Sequence, residues 1–137
     1  MLVRDCMTQK VSTLGADKKL FIASQIMDWA HIRHVPVVDP TGRVVGMVSH
    51  RDLLRASISS VESRVANVER NQHLTGISVQ EVMRTNVKTI SPDASVQEAA
   101  RLMREHKIGC LPVVAEQRLV GIITEHDLLR VVEQLKG

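Results

Sequence analysis

A chain of 137 residues that is 44% hydrophobic and 24% charged can bury a core, and no extreme of composition indicates disorder or a fibre. The net charge is only +3, and one Trp, one Phe and no Tyr leave little surface on which nucleic-acid bases could stack. No apolar run reaches the roughly 18–20 residues of a membrane-spanning helix, and the N-terminus lacks the apolar region of a secretion signal.

The same unit occurs twice along the chain. Residues 3–38 align with residues 79–114, and after two loops of unequal length residues 43–55 align with residues 118–130. An internal repeat of this kind sets the architecture before any local pattern does. The predicted domains are a first repeat over residues 1–56, a partly helical linker over residues 57–76 and a second repeat over residues 77–137.

Each repeat has the same predicted order of elements. The β-branched run 11–13 predicts a short strand, and apolar residues at helical spacing over residues 20–30 predict a helix that begins at or near Asp17. The runs VPVV and VVGMVS, separated by the loop DPTGR, predict a hairpin, after which Ser49 begins a second helix. The second repeat follows the same order, with its first helix expected to begin near Asp93. The predicted fold is therefore α/β, with two β-α-β-β-α repeats.

A glycine, a hydroxyl and an acid recur at fixed spacing in GMVSHRDLL and GIITEHDLL. The hydroxyl and the acid fit a capping box in the pairs Ser49 with Asp52 and Thr124 with Asp127. A capping box does not explain Gly46 and Gly121, because a glycine inside a strand often marks a place where another group approaches the backbone. A ligand held at the helix N-terminus is the alternative explanation, since the free amides there attract a phosphate.

Each copy resembles a cystathionine-β-synthase (CBS) domain, and the whole chain resembles a tandem pair of them. The resemblance is carried by Val3 with Met7, Thr13 with Asp17, Met27, the segments 32–38 and 46–54, and their counterparts in the second repeat. It implies two repeats packed about a pseudo-two-fold axis, with clefts between them that commonly bind AMP, ADP, ATP or S-adenosylmethionine. It also implies a module for signal transduction that senses its ligand and regulates a partner, without catalysis of its own.

The resemblance places nucleotide-binding residues in both repeats, where the aspartates can accept hydrogen bonds from ribose hydroxyls. The candidates are Thr13, Arg33, His34, Pro36, Gly46, Ser49, Arg51 and Asp52 in the first repeat, and Thr89, Pro112, Gly121, Thr124, His126 and Asp127 in the second. The two clefts are not expected to be equal, because Gly109-Cys110 replaces the basic pair Arg33-His34. In CBS modules basic residues at this position often reach a phosphate; the alternative is that Arg33 and His34 form a solvated helix end.

Metal and catalytic sites are not expected. The chain has no CxxC or HxxxH pair, and His31 with His34 is a lone pair of histidines. Cys110 is expected to be a small buried apolar residue, because no partnered base is identifiable. Cys6 and Cys110 are isolated thiols, which fit a reducing compartment and hence a cytoplasmic protein.

The predicted protein is a homodimeric CBS pair that binds an adenine nucleotide as a regulatory ligand and modulates an unidentified partner, with no membrane insertion. One alternative is a structural dimerisation or adaptor module whose clefts are vestigial. Another is a regulator that binds nucleic acid, which the shortage of aromatic residues and of a basic face disfavours.

Overall fold

The computed structural model describes residues 1–61, 74 and 76–136. Its elements in chain order are α1 (Val3–Cys6), α2 (Leu20–Ala30), β1 (His34–Val38), β2 (Val44–Ser49), α3 (His50–Val61), α4 (Val79–Val82), α5 (Val96–His106), β3 (Cys110–Ala115), β4 (Arg118–Thr124) and α6 (Glu125–Glu133). The predicted α/β fold of two repeats, each with a hairpin and helices, is confirmed. No helix among the described residues is long and apolar enough to cross a membrane.

The chain divides into two compact units that cut across the sequence repeats. The central unit is Ser12–Val87, and the terminal unit combines Met1–Val11 with Lys88–Gly137. Each unit therefore contains the body of one repeat and the first residues of the other. The repeat boundaries stay predictions, and most of the predicted linker lies outside the described residues.

Each unit is built on a hairpin with a single backbone bridge at either edge. In the central unit β1 pairs with β2 in antiparallel fashion, Leu14 bridges Val37 on β1, and Arg84 bridges Met47 on β2. In the terminal unit the β3–β4 hairpin has the same two edges, with Ile90 bridged to β3 and Thr8 bridged to β4. The two outermost bridges, at Arg84 and Thr8, thus come from the segment that belongs in sequence to the other repeat.

The short strand predicted over residues 11–13 is wrong. Its place is taken by a single bridge at Leu14, whose N–H donates to the carbonyl of Pro36 at 3.1 Å and whose carbonyl accepts from Val38 at 3.0 Å. The chain then leaves β1 in a turn, where the N–H of Lys18 donates to the carbonyl of Gly15 at 3.2 Å. One pair of hydrogen bonds is too little pairing to form a strand.

The first long helix of each repeat begins later than its acid suggested. Asp17 and Asp93, which were predicted to lie at or near the helix starts, are in turns three residues before α2 and α5 begin, and α2 spans residues 20–30 as the apolar spacing predicts. In α5 the cap is Ser95, whose hydroxyl accepts from the N–H of Glu98 at 3.1 Å. The one-turn helices α1 and α4 were not predicted, because four residues are too few to show helical periodicity.

Each unit has its own apolar core. The α2 face with Ala23 and Met27 packs on the hairpin of the central unit, and the α5 face with Ala99 and Met103 packs on that of the terminal unit, as the spacing predicts. Residues 1–11 in the terminal unit and residues 77–87 in the central unit belong in sequence to the other repeat, and we call them the exchanged segments. They are part of these cores, since Val79 of α4 and Val3 of α1 are both 0% exposed. The fully buried residues that surround them include Leu20, Val35, Val37 and Val48 in the central unit and Leu111, Val113 and Ile123 in the terminal unit.

Candidate functional site

The predicted capping boxes form at the first turns of α3 and α6. The hydroxyl of Ser49 accepts from the N–H of Asp52 at 3.1 Å, and the N–H of Ser49 donates back to Oδ2 of Asp52 at 2.9 Å. Thr124 and Asp127 repeat the arrangement at 3.3 and 2.9 Å. In both units one carboxylate oxygen, Oδ2, is therefore used to cap the helix.

The other oxygen of each aspartate, Oδ1, faces the exchanged segment. Oδ1 of Asp52 accepts from Nε of Arg84 at 3.2 Å, and Oδ1 of Asp127 accepts from the hydroxyl of Thr8 at 3.4 Å and from the guanidinium of Arg130. These contacts are needed because both aspartates are buried, at 5% and 2% exposed, and a buried carboxylate is costly unless it is hydrogen-bonded. We call the two arrangements the Asp52 site and the Asp127 site.

The close approach that Gly46 and Gly121 indicate is made by the protein's own chain. A Cβ at Gly46 would lie 2.5 Å from Sδ of Met83 and 3.1 Å from the carbonyl oxygen of Arg84. A Cβ at Gly121 would lie 2.7 Å from Sδ of Met7 and 3.0 Å from the carbonyl oxygen of Thr8. The exchanged segments thus explain both glycines, and no ligand is required to account for them.

The structure gathers some of the predicted site residues at the start of α3. His34 is opposite Ser49 in the hairpin, and the N–H of His50 donates to the carbonyl of Arg33 at 2.7 Å. Arg33 therefore lies beside the first turn of α3 and not at the end of α2, which closes at Ala30. Arg51 is the exposed second residue of α3, next to Asp52.

Other predicted residues lie elsewhere in the same units. Thr13 is exposed next to the Leu14 bridge, on the hairpin edge opposite Arg84, and Pro36 is fully buried within β1. Thr89 and Pro112 have the same placements in the terminal unit, beside the Ile90 bridge and within β3. His126 is exposed in the first turn of α6, beside Asp127. The structure therefore does not bring the two threonines to the capping boxes.

Three residues at these sites were not predicted from the sequence: Thr8, Arg84 and Arg130. Arg130 carries a detectable signal, because it stands three positions after Asp127 on a helix and can reach back to it. Thr8 and Arg84 occupy aligned positions in the two repeats, but alignment does not reveal that each contacts the hairpin of the other repeat. Only the exchange of segments places them at the aspartates.

The two cysteines belong to the terminal unit and remain protonated at neutral pH. Cys110 is 6% exposed at the start of β3, as predicted, and burial together with the charge of Asp127 raises its pKa to about 12. Burial and Asp127 also raise the pKa of the half-buried Cys6. Within the described residues, no three His, Cys, Asp or Glu side chains are grouped so that they could hold a metal ion.

We expect iodoacetamide to alkylate Cys6 of the folded protein at pH 8 and to leave Cys110 unmodified. A thiol with a pKa of about 12 is only about one ten-thousandth thiolate at that pH, and Cys110 is also shielded. Because its folded pKa lies above the value of about 8.5 for a free thiol, Cys110 favours the folded state fully below that pH, and this contribution declines as the pH rises toward 12. Mass spectrometry of tryptic peptides measures the two rates, and a denatured control should lose the difference. Equal rates in the folded protein would contradict the burial of Cys110.

Taken together, the paired hairpins, the exchanged segments and the two capped acid sites define a tandem α/β-repeat module. Residues 3–59 and 79–134 both match the CBS domain family, so the chain belongs to that family and the resemblance seen in the sequence is confirmed.

Three solved structures are similar over nearly the whole chain. A putative acetoin utilization protein (AcuB) from Vibrio cholerae is 40% identical, with a TM-score of 0.83 and coverage of 97% of this chain and 92% of that one. The CBS domain pair of protein MJ0100, solved in complex with 5′-methylthioadenosine and S-adenosyl-L-methionine, is 28% identical, with a TM-score of 0.81 and coverage of 99% and 98%. CBSX2 in complex with AMP is 25% identical, with a TM-score of 0.80 and coverage of 97% and 96%.

Proposed function

We propose that the chain is a regulatory module that senses an adenosine compound (AMP, ADP, ATP or S-adenosylmethionine) and conveys its presence to a partner protein. The adenosine moiety binds at the Asp52 and Asp127 sites, where an aspartate accepts from the ribose hydroxyls. A homodimer in the cytoplasm is the assembly and location that the sequence predicts for such a module.

The observation that carries this proposal is that the two oxygens of each aspartate carboxylate have different hydrogen-bond partners. Oδ2 is occupied by the helix cap, whereas Oδ1 is held by side chains that can move away. Arg84 and Arg130 are 57% and 56% exposed, so each can leave its aspartate when the hydroxyls of a ligand replace its hydrogen bonds to the buried carboxylate. A pair of ribose hydroxyls can then donate to Oδ1 while the cap stays intact.

The ligands of similar proteins support the same conclusion. Both MJ0100 and CBSX2 were crystallised with compounds that contain adenosine, and both align with almost all of this chain. Adenosine is common to AMP, 5′-methylthioadenosine and S-adenosylmethionine, whereas the groups on the 5′ carbon differ. The proposal therefore assigns the adenosine moiety to the two aspartates and leaves the 5′ group to other residues.

Replacing an aspartate by asparagine tests the proposal. Asp52→Asn and Asp127→Asn should each raise the Kd of the ligand held at that site about 10- to 150-fold, because charge-assisted hydrogen bonds worth about 1.5–3 kcal/mol are lost. The ligand-free stability should change by at most about 1 kcal/mol, because asparagine still accepts from the amide at the helix start. Isothermal titration with AMP and with 5′-methylthioadenosine measures the affinities, and thermal melts measure the stability.

Asp28→Asn is the matched control, because Asp28 is an exposed residue on α2 and the substitution is chemically the same. It should leave both affinities unchanged. If the wild-type chain bound neither compound at millimolar concentration, the structural dimerisation module would be the better description. If it bound them and neither aspartate variant weakened the binding, the aspartates would be capping residues only.

A further inference from the structure

The Asp52 and Asp127 sites differ strongly in charge. The residues of the Asp52 site and their aligned counterparts in the Asp127 site are Arg33 and Gly109, His34 and Cys110, His50 and Glu125, Arg51 and His126, and Arg84 and Thr8. At all five positions the Asp52 site has the more basic residue. Arg130 places a guanidinium on Asp127 as Arg84 does on Asp52, so the contrast in charge comes from the aligned positions around these ion pairs, above all from Glu125 in place of His50.

These positions lie at the starts of α3 and α6 or in contact with the two aspartates. In the central unit the backbone of Arg33 bonds to His50 at the start of α3, and the side chain of Arg84 bonds to Asp52. In the terminal unit the N–H of Glu125 donates to the carbonyl of Gly109 at 3.0 Å. The carboxylate of Glu125 folds over this glycine, with its carbon 3.1 Å from the point where a Cβ would be. An acid thus lies at the Asp127 site where the Asp52 site has Arg33 and His50.

Arg84 is suited to exchange Asp52 for a phosphate. Its contact with Asp52 uses Nε, so this ion pair leaves both terminal guanidinium nitrogens for a second acceptor. A guanidinium binds phosphate through two parallel N–H groups, and such charge-assisted bonds are stronger than neutral ones. When the ribose of a nucleotide takes its place at Oδ1, the same arginine can turn to the 5′-phosphate.

The Asp127 site offers the opposite environment to a charged 5′ group. Thr8 contributes a neutral hydroxyl at the position aligned with Arg84, and the guanidinium at Asp127 comes instead from Arg130 on the same helix. The carboxylate of Glu125 lies at the helix start and repels a phosphate, but it attracts a cation such as a sulfonium. The local charge therefore favours an adenosine whose 5′ substituent is neutral or positive.

We infer that the two sites bind different adenosine compounds. The Asp52 site takes an adenosine with a 5′-phosphate, and the Asp127 site takes one with a neutral or cationic 5′ substituent, such as a thioether or a sulfonium. Arg84 and Glu125 are the residues that set this difference. The inference rests on the proposed function, since it assigns ligand classes to the same two sites.

Titration of the wild-type chain with AMP and with 5′-methylthioadenosine tests the assignment, because these compounds share adenosine and differ in the charge of the 5′ group. The Asp52→Asn and Asp127→Asn variants report which site each compound occupies. We expect Asp52→Asn to weaken AMP and Asp127→Asn to weaken 5′-methylthioadenosine. Saturation with one compound should leave the Kd of the other within about twofold, as for independent sites.

Substitution of Arg84 and Glu125 tests directly whether these residues determine which compound each site binds. Arg84→Thr, which copies Thr8 into the Asp52 site, should raise the Kd of AMP about tenfold or more and change that of 5′-methylthioadenosine by less than about twofold. Arg84→Lys keeps the positive charge without the paired N–H groups, so its Kd for AMP should lie between those of the wild type and Arg84→Thr. Glu125→Gln, which removes the negative charge, should allow a second AMP to bind at the Asp127 site.

The outcomes separate this inference from the proposed function. If both compounds bound but competed for the same site, or if Arg84→Thr weakened both alike in a chain that melts as the wild type does, the inference would be overturned and the proposed function would stand. If Arg84→Thr failed to fold, an Arg84→Lys variant with unchanged AMP affinity would overturn it equally. A wild-type chain that bound neither compound would overturn both.

Discussion

A fragment of residues 12–87 should unfold cooperatively, whereas a fragment of residues 1–60 should show no cooperative transition. Residues 12–87 are the whole central unit and are continuous in the chain. Residues 1–60 contain the whole first sequence repeat but lack α4 and the segment that follows it. Comparison of the two fragments therefore shows whether the chain folds as the sequence repeat (residues 1–56) or as the compact unit (residues 12–87).

The shorter fragment loses an essential part of its core. Leu74 and Val79, at 6% and 0% exposed, belong to the same buried cluster as Leu20 and Val35. The backbone of α2 also loses its partners, because the N–H of Leu20 donates to the carbonyl of Ile77 at 2.8 Å. Two buried side chains and several backbone hydrogen bonds amount to about 5–10 kcal/mol, which is comparable to the whole stability of a small domain.

Circular dichroism during thermal and urea unfolding distinguishes the fragments. The 12–87 fragment should keep its helical signal and lose it in one sigmoidal transition, and the 1–60 fragment should change gradually from the lowest temperature. A third fragment, residues 1–87, is the matched control: it adds the first 11 residues to the central unit and should melt close to the 12–87 fragment. A cooperative melt of residues 1–60 at the same temperature would show that α4 is dispensable.

The elements that the sequence predicted correctly are those whose signal is local. The apolar runs around Pro36 and Pro112 are long enough to identify the hairpins, and the spacing of hydroxyl and acid identifies the capping boxes at Ser49 and Thr124. The first helices begin three residues after Asp17 and Asp93, and in α5 it is Ser95 that caps the helix.

The features that the sequence did not predict depend on contacts between distant residues. Repeat alignment shows that Thr8 corresponds to Arg84, but only the fold shows that each lies at the aspartate of the other repeat. The glycines were correctly interpreted as places of close approach, and the group that approaches them in the structure is a segment of the chain itself, which the sequence did not indicate. A single sequence carries no information on which of two partners, a chain segment or a small molecule, fills such a space.

Gly121→Ala should destabilise the protein by about 2–3 kcal/mol and lower Tm by about 6–15 °C. The new Cβ would be 2.7 Å from Sδ of Met7 and 3.0 Å from the carbonyl oxygen of Thr8. The sulfur can move, but the carbonyl is held, because Thr8 and Ile122 exchange two backbone hydrogen bonds of 2.8 and 2.9 Å. Relief of the clash therefore stretches this bridge and moves α1, whose Val3 lies in the core.

Gly15→Ala is the control that separates this clash from the general effect of replacing a glycine. Its Cβ would meet only flexible side-chain atoms, chiefly Oδ1 of the exposed Asp17 at 2.8 Å, so a small rotation of that carboxylate removes the conflict. Its free energy of unfolding should stay within about 0.5 kcal/mol of the wild type. Urea unfolding of both variants supplies the comparison. If Gly121→Ala were as stable as Gly15→Ala, the contact of Met7 and Thr8 with β4 would not require a glycine at this position. A bound ligand would then be the better explanation of Gly46 and Gly121.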